Sequence, residues 1–236
     1  TMAKKITHVL FDYDNTLGMT ELPAFTACCT VVNKLLASKG VSMQFTVESL
    51  MARFVGYSFR RMATELATEH KFTFADGELD MLVADEVDAV VARLAVDIQA
   101  TPGANALVAS LVGRFNLSVV SSSALRRVKA CLKGAGQDAF FGEQVFSAAC
   151  YNSSKPDPKV YIEAMKALGI TVDDCVAIED SKTGTLAAVG AGITTIGYTG
   201  AYPEHEREEL AKVLLAAGCV SVFHDWSEFE AALAAI

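Results

Sequence analysis

The sequence lacks three features, each of which would point to a particular class of protein. Basic residues are in deficit, because 20 Lys and Arg stand against 28 Asp and Glu, a formal net charge of −8. Such a chain repels nucleic acids and anionic membranes, so we expect neither as a partner. The six cysteines form no C-x-x-C pair, which is typical of reduced thiols in a core. The apolar stretch after Lys4 and Lys5 meets Asp12 too soon for a signal peptide or a membrane span. We therefore expect a cytoplasmic protein.

Apolar residues are abundant, at 52% of the 236 residues. That content is enough for a domain with a sizeable core and a smaller appended one. The apolar run Ile6–Phe11 ends at polar residues 12–15, which indicates a buried strand followed by a polar loop. Between residues 20 and 97 the apolar positions have helical spacing instead, and about four helices are predicted there. Their predicted starts include Thr20, Thr46 and Asp76, and Gly40 is a predicted stop.

Beyond residue 98, short apolar runs alternate with helical segments, a pattern typical of parallel strands joined by helical crossovers. The predicted strands in this part are Leu117–Val120, Gln144–Ala148, Cys175–Ile178, Ile193–Gly197 and Val220–Phe223. We therefore predict an α/β fold, a Rossmann-like open parallel sheet with helices on both faces. An all-helical domain, the cap, is predicted to be inserted after the first strand. The core domain would comprise residues 1–18 and 98–236, and the cap residues 19–97.

Polar residues follow several of these apolar runs, and open parallel sheets bind ligands at the carboxyl ends of their strands. Four such sites are Asp12-x-Asp14-x-Thr16, Ser121-Ser122, Lys155 in Lys-Pro-Asp-Pro, and Glu179-Asp180. In this order they resemble the four motifs of the haloacid dehalogenase superfamily, in particular its helical-cap sugar phosphatases and β-phosphoglucomutase-like group. Asn15 stands where that family usually has glycine, whereas Gly184 and the small residues after it match the last motif closely.

The resemblance implies a phosphatase that hydrolyses small phosphate monoesters through an aspartyl-phosphate intermediate. A carboxylate is ionised at neutral pH, so Asp12 would attack phosphorus without a separate base. Asp14 lies two residues further on, on the same side of an extended segment. It would protonate the leaving oxygen and later activate the attacking water.

The same resemblance implies a magnesium site, because Mg²⁺ prefers oxygen ligands and retains several waters. Its ligands would be Asp12, the backbone carbonyl of Asp14, and Asp180, with Glu179 just outside them. Phosphate oxygens would meet hydroxyl groups, backbone N–H groups and one positive charge. The predicted phosphate-binding residues are Ser121, Ser122 and Lys155. Lys155 is also a predicted catalytic residue, together with Asp12 and Asp14, because its charge would act on both the phosphate and Asp12.

Ser123 and the basic residues that follow it are interpreted as structural rather than as parts of the site. Ser123 is predicted to cap the helix that begins with Ala124 and Leu125. The basic residues after it alternate with apolar ones, as on a solvated helix face, so no anion site is predicted from them. These basic residues are Arg126, Arg127, Lys129 and Lys133.

Related activities can be weighed from single positions. Dehalogenases and phosphonate-cleaving relatives lack the second aspartate, which is present here as Asp14. Sugar-phosphate mutases of similar fold keep it but have a cap histidine ten residues later, where this sequence has Ala24. We therefore expect a phosphatase for a sugar or sugar-acid phosphate. A mutase and a catalytically idle binding protein remain alternatives, because fold alone does not fix function.

Selectivity for the rest of the substrate is expected to come from the cap. Residues 54–61 place Gly56 before aromatic and cationic side chains, and similar relatives have a substrate loop near this point. Gly56 and Arg60 are the predicted specificity residues, and an exposed helix face is the alternative for Arg60. The sequence carries no indication of oligomeric state.

Overall fold

The computed structural model describes residues 6–54 and 57–236. Within them lies one six-stranded sheet, in which every neighbouring pair of strands is parallel. Its strands are β1 (His8–Phe11), β2 (Asn116–Ser121), β3 (Val145–Ser147), β4 (Cys175–Glu179), β5 (Thr194–Tyr198) and β6 (Ser221–Phe223). The strand order is β3-β2-β1-β4-β5-β6. All six strands overlap the runs predicted from the sequence, and the predicted α/β fold is confirmed.

The chain divides into two compact units, one made of the residues up to Met19 with Gln99–Ile236 and the other of Thr20–Ile98. The division falls one residue later at each junction than the predicted cap range. The second unit contains α1 (Glu21–Ser38), α2 (Val47–Phe54), α3 (Phe59–His70) and α4 (Glu78–Asp97). The first contains α5 (Ala104–Leu111), α6 (Leu125–Gly134), α7 (Asp138–Phe141), α8 (Lys159–Leu168), α9 (Lys182–Gly190), α10 (Glu204–Ala217) and α11 (Phe229–Ala234). No helix in the described part of the chain is long and apolar enough to cross a membrane.

Successive residues of β1 face opposite sides of the sheet, and helices cover both. Leu10 packs with Val160 of α8 and Ala187 of α9. On the other side, the ring of Phe11 lies 6.2 Å from that of Phe141 in α7 and 6.3 Å from that of Phe229 in α11, between centroids. Because both faces are covered, the strand is apolar without alternation, as the sequence shows.

The cap unit is held together by its own apolar cluster, which includes Leu36, Leu50 and Leu66. Its predicted helix starts differ in accuracy. Thr46 caps α2 by accepting a hydrogen bond from the Ser49 N–H at 3.2 Å. The start predicted at Asp76 is one residue early, because the cap position of α4 is Gly77, with a φ of +74°, and the helix begins at Glu78.

Candidate active site

Three adjacent strands bring the predicted site residues to one edge of the sheet. β1 lies between β2 and β4, with Phe11 in register with Val119 and with Ile178. The backbone N–H of Asp12 continues this pairing by donating to the carbonyl of Ile178 at 2.9 Å. Ser121 is the last residue of β2 and Glu179 the last residue of β4, at the same edge of the sheet. Parallel pairing therefore gathers residues that lie far apart in sequence.

Lys155 joins these strand ends through its ammonium group. Nζ donates to Asp12 Oδ1 at 2.6 Å, to Glu179 Oε1 at 2.6 Å and to the carbonyl of Val120 at 2.7 Å. Its side chain is only 4% exposed, so these three acceptors replace water almost completely. The backbone N–H of Lys155 donates to the hydroxyl of Ser122 at 3.1 Å. Ser122 thus ties the lysine segment to the end of β2.

The carboxylates of Asp12, Glu179 and Asp180 form a buried acidic cluster, with one oxygen of each within 4.8 Å of the others. Asp180 is held from two sides: Thr16 Oγ1 donates to Oδ1 at 3.2 Å, and the Tyr202 hydroxyl donates to Oδ2. Three carboxylates facing one ammonium leave an excess of negative charge when all are ionised. An all-oxygen donor set with that charge fits a hard divalent cation.

Burial and the neighbouring carboxylates raise the pKa values of Asp12 and Asp180. Burial, reinforced by Glu179 and Asp180, raises the pKa of Asp12 well above its ordinary value, although the charge of Lys155 opposes the shift. Burial and Glu179 likewise raise the pKa of Asp180 to about 7. Burial disfavours the charged form of Lys155, but the carboxylates of Asp12 and Glu179 outweigh it and leave the pKa of Lys155 raised. A cation bound among these oxygens would relieve the repulsion.

Glu179 is held by hydrogen bonds at one of its two carboxylate oxygens. The hydroxyl of Tyr161 donates to Oε1, the same oxygen that accepts from Lys155. Oε2 is buried and has no hydrogen-bond partner among the described residues. A Cβ added at Gly184 would lie 1.8 Å from that oxygen, so only glycine fits there. This close approach explains why position 184, four residues after Asp180, is a glycine.

Asp14 lies outside the acidic cluster and is held by the segment that follows β2. Its Oδ2 accepts from Ser123 Oγ at 2.7 Å and, at a longer 3.4 Å, from Ser121 Oγ. Its Oδ1 accepts from a terminal nitrogen of Arg127 at 2.8 Å. The side chain of Asp14 is 29% exposed, so it stays open to solvent while its orientation is set by three donors.

These contacts correct two sequence predictions. Ser123 does not cap the next helix: the residue before α6 is Ala124, which makes no side-chain cap bond, and the serine hydroxyl turns to Asp14 instead. Arg127 is not a solvated surface residue, because it pairs with Asp14. Lys129 does behave as predicted, since it is exposed and pairs with Glu143.

Sequence reasoning also missed two tyrosines of the site. Tyr161 lies in the apolar face of α8, where nothing in the pattern distinguishes it from a packing residue. Tyr202 follows β5 by four residues and is additionally 3.5 Å from Asn15 Nδ2 through its hydroxyl. Extending the search for polar residues to the end of β5 would have found it.

The two predicted specificity residues have different outcomes. Gly56 lies outside the described residues. Arg60 lies in α3, half exposed, and pairs with Asp80 within the cap unit. Its neighbour Arg61 instead stacks on the ring of Tyr57, 3.9 Å from the centroid. The role of Arg60 in substrate selectivity stays a prediction.

Comparison with known proteins gives consistent matches. Residues 9–198 match the model of the haloacid dehalogenase-like hydrolase family. The chain is 26% identical to a 6-phosphogluconate phosphatase of Escherichia coli over 80% of both chains. It is 31% identical to the validoxylamine A 7′-phosphate phosphatase of Streptomyces hygroscopicus subsp. limoneus over 86% of this chain and 89% of the relative. Among solved structures, a HAD family hydrolase from Deinococcus radiodurans with bound phosphate and sodium has 28% identity and a TM-score of 0.73, covering 98% of this chain and 96% of that one.

Proposed function

This chain belongs to the haloacid dehalogenase-like hydrolase family, and from that premise we propose that it is a Mg²⁺-dependent phosphatase acting on a sugar or sugar-acid phosphate through an aspartyl-phosphate. At the level of enzyme class, a phosphoric monoester hydrolase agrees with its relatives, which are named phosphatases. The observation that carries the finer proposal is the lysine-bridged cluster in which Asp12 is buried beside Glu179 and Asp180.

Asp12 is the proposed nucleophile. Its Oδ1 is engaged by Lys155, which holds the carboxylate in one orientation and leaves Oδ2 for in-line attack on phosphorus. The leaving alkoxide needs a proton, and Asp14 is the proposed donor because it is the carboxyl group nearest in sequence that stays partly open to solvent. In the second step Asp14 takes a proton from the attacking water, which replaces the proton that it donated to the leaving alkoxide.

The phosphate oxygens are proposed to meet Lys155, Ser121 and Ser122. Lys155 supplies the positive charge, and its position beside Asp12 keeps nucleophile and phosphate from repelling each other. Ser121 offers a buried hydroxyl at the end of β2, and Ser122 keeps Lys155 in place through the 3.1 Å bond to its backbone. The net negative charge of the chain makes this local positive group necessary for binding an anion.

Asp12, the backbone carbonyl of Asp14, and Asp180 are the proposed ligands of Mg²⁺, with Glu179 beside them. When bound, the metal ion would neutralise charge on the transferring phosphoryl group. The carboxylate oxygens described above fit this ion in type and in charge.

The substrate class rests on the relatives, which act on 6-phosphogluconate and on validoxylamine A 7′-phosphate according to their names. Both are phosphorylated polyhydroxy compounds. A mutase would need a cap residue able to transfer a proton at the position of Ala24, whose methyl group cannot do so. We therefore favour hydrolysis over phosphoryl transfer between sugar positions.

The test is phosphate release from a panel of sugar phosphates, sugar-acid phosphates, nucleotides and phosphoglycolate, with and without Mg²⁺. We expect the best turnover on a sugar or sugar-acid phosphate, and only with the metal. Turnover of a sugar bisphosphate or sugar phosphate into an isomer without phosphate release would establish the mutase. No turnover of any ester by folded protein would leave an idle binding protein.

A further inference from the structure

Both carboxylate oxygens of Asp14 accept hydrogen bonds from side chains of one segment, residues 123–127. Ser123 Oγ donates to Oδ2 at 2.7 Å and Arg127 donates to Oδ1 at 2.8 Å. Neither residue belongs to the predicted motifs. We propose that Arg127, assisted by Ser123, is a positioning residue that fixes the orientation of the Asp14 carboxyl group for proton transfer. This inference rests on the proposed function, in which Asp14 is the acid and base.

The two donors are themselves anchored to the core domain. Ser123 is fixed at both ends of its backbone, because its N–H donates to Ser121 Oγ at 3.0 Å and its carbonyl accepts from Ser147 Oγ at 2.7 Å. Arg127 projects from α6, whose Val128 is buried against the rest of the unit. Asp14 lies in the turn after β1, where it forms an isolated β-bridge with Gly18, just before a residue with a φ of +57°. The orientation of Asp14 is therefore set from outside its own segment.

A carboxyl group on a loop can rotate about two side-chain torsions, and proton transfer needs one oxygen aimed at the ester oxygen. One hydrogen bond restricts this rotation only partly. Two bonds from two side chains, one to each oxygen, restrict both torsions. Removing Arg127 takes away its bond to Oδ1, whereas the bonds from Ser123 and, at longer distance, from Ser121 both go to Oδ2.

The pair contributes little to folding stability, because Arg127 is 28% exposed and Asp14 29% exposed, and partly exposed ion pairs are screened by water. A structural role would therefore be seen as a change in thermal stability or as an equal loss on all substrates. A positioning role has a different signature, because it depends on how much the leaving group needs a proton.

The experiment compares kcat/KM for the best sugar phosphate of the panel with kcat/KM for p-nitrophenyl phosphate. An alkoxide must be protonated as it leaves, whereas p-nitrophenolate leaves without a proton. The ratio kcat/KM reports only the steps up to phosphoryl transfer, so the later role of Asp14 as a base does not enter. Arg127→Ala should lower kcat/KM roughly tenfold to hundredfold on the sugar phosphate. On the aryl phosphate the loss should stay below about threefold.

Matched variants separate positioning from other effects. Arg127→Lys, which keeps a cation at the same place, should recover part of the loss. Ser123→Ala should show the same substrate dependence in a smaller degree. Arg126→Ala, which removes an exposed arginine from the same helix, should leave kcat/KM unchanged for both the sugar phosphate and p-nitrophenyl phosphate.

A double-mutant cycle shows whether Arg127 acts through Asp14. In an Asp14→Asn background there is no acid to orient, so adding Arg127→Ala should cost nothing further in kcat/KM. Additive losses, equal losses on both esters, or no loss on either would overturn the inference while leaving the phosphatase assignment intact. If the wild-type protein hydrolyses neither ester, the proposed function fails and the inference falls with it. The thermal stability of every variant is measured by circular dichroism alongside the assay. If Arg127→Ala does not fold, Arg127→Lys and Ser123→Ala are used to test the inference instead.

Discussion

The site at the sheet edge and the predicted specificity residue of the cap hold their charges in opposite ways. Lys155 has a side chain that is 4% exposed and donates to groups from three segments. Arg60 is 50% exposed and pairs with an aspartate that is 74% exposed. A buried network fixes one geometry, because every lost partner leaves an unsatisfied charge. An exposed pair exchanges partners at little cost. We therefore expect chemistry to depend on the first region and selectivity on the second.

The largest expected effect is from Asp12→Asn. The amide still accepts a hydrogen bond from Lys155, so the fold should persist, but it cannot attack phosphorus. Phosphate release should fall on the order of 10⁴-fold or more, with thermal melting close to wild type. Asp138→Asn, an exposed aspartate at the start of α7, is the control. Activity within about tenfold of wild type would remove Asp12 from the mechanism.

Removal of Mg²⁺ should come next in size. The cluster of Asp12, Glu179 and Asp180 is surplus in negative charge, and a phosphate dianion adds to it. Excess chelator should suppress turnover, Mg²⁺ should restore it, and Ca²⁺ should restore it poorly because Ca²⁺ prefers more ligands at longer distances. Direct binding of Mg²⁺, measured by calorimetry on wild type and on Asp180→Asn, gives a readout independent of activity. Full turnover in chelator contradicts this prediction.

Replacing Lys155 by Met tests whether the buried ion pairs contribute more to folding stability than the exposed ones. The substitution keeps most of the side-chain volume but leaves Asp12 and Glu179 without their ammonium partner. Breaking a buried pair costs on the order of 3–5 kcal/mol of unfolding free energy, measured by urea denaturation in chelator. Lys129→Met breaks the exposed pair with Glu143, whose side chains are 45% and 89% exposed, and should barely change stability. Similar losses for the two variants would mean that burial does not distinguish the two pairs.

The fold and the strand-end residues were predictable because their signals are local. An apolar run such as Ile6–Phe11 that stops at a polar loop marks a buried strand and its end, and parallel strands end at one edge of the sheet. That rule alone places Asp12, Ser121 and Glu179 together. The position of Lys155 was predicted only from the family resemblance, since it follows no strand directly.

The missed contacts share a physical cause. Arg127 and Asp14 are 113 residues apart in sequence, and helical periodicity tells which side of α6 is buried but not what lies at its rim. The same limit hid Tyr161, whose ring is in the core while its hydroxyl reaches Glu179. Aromatic residues of this kind look like packing residues until their polar end is located.

The smallest expected effect tests the exposed side of the comparison. Breaking the exposed Arg60–Asp80 ion pair costs little free energy, so Arg60 can exchange Asp80 for a hydroxyl or acid group of a substrate. If it does, Arg60→Ala should lower kcat/KM for the best sugar phosphate by roughly tenfold, the size of a lost charge-assisted hydrogen bond. Activity on p-nitrophenyl phosphate should hardly change, because that ester has no hydroxyl or acid group beyond its phosphate. Arg93→Ala, which breaks another exposed ion pair of the cap, should affect neither substrate. Equal loss on both esters, or none on either, would assign selectivity to other residues of the cap.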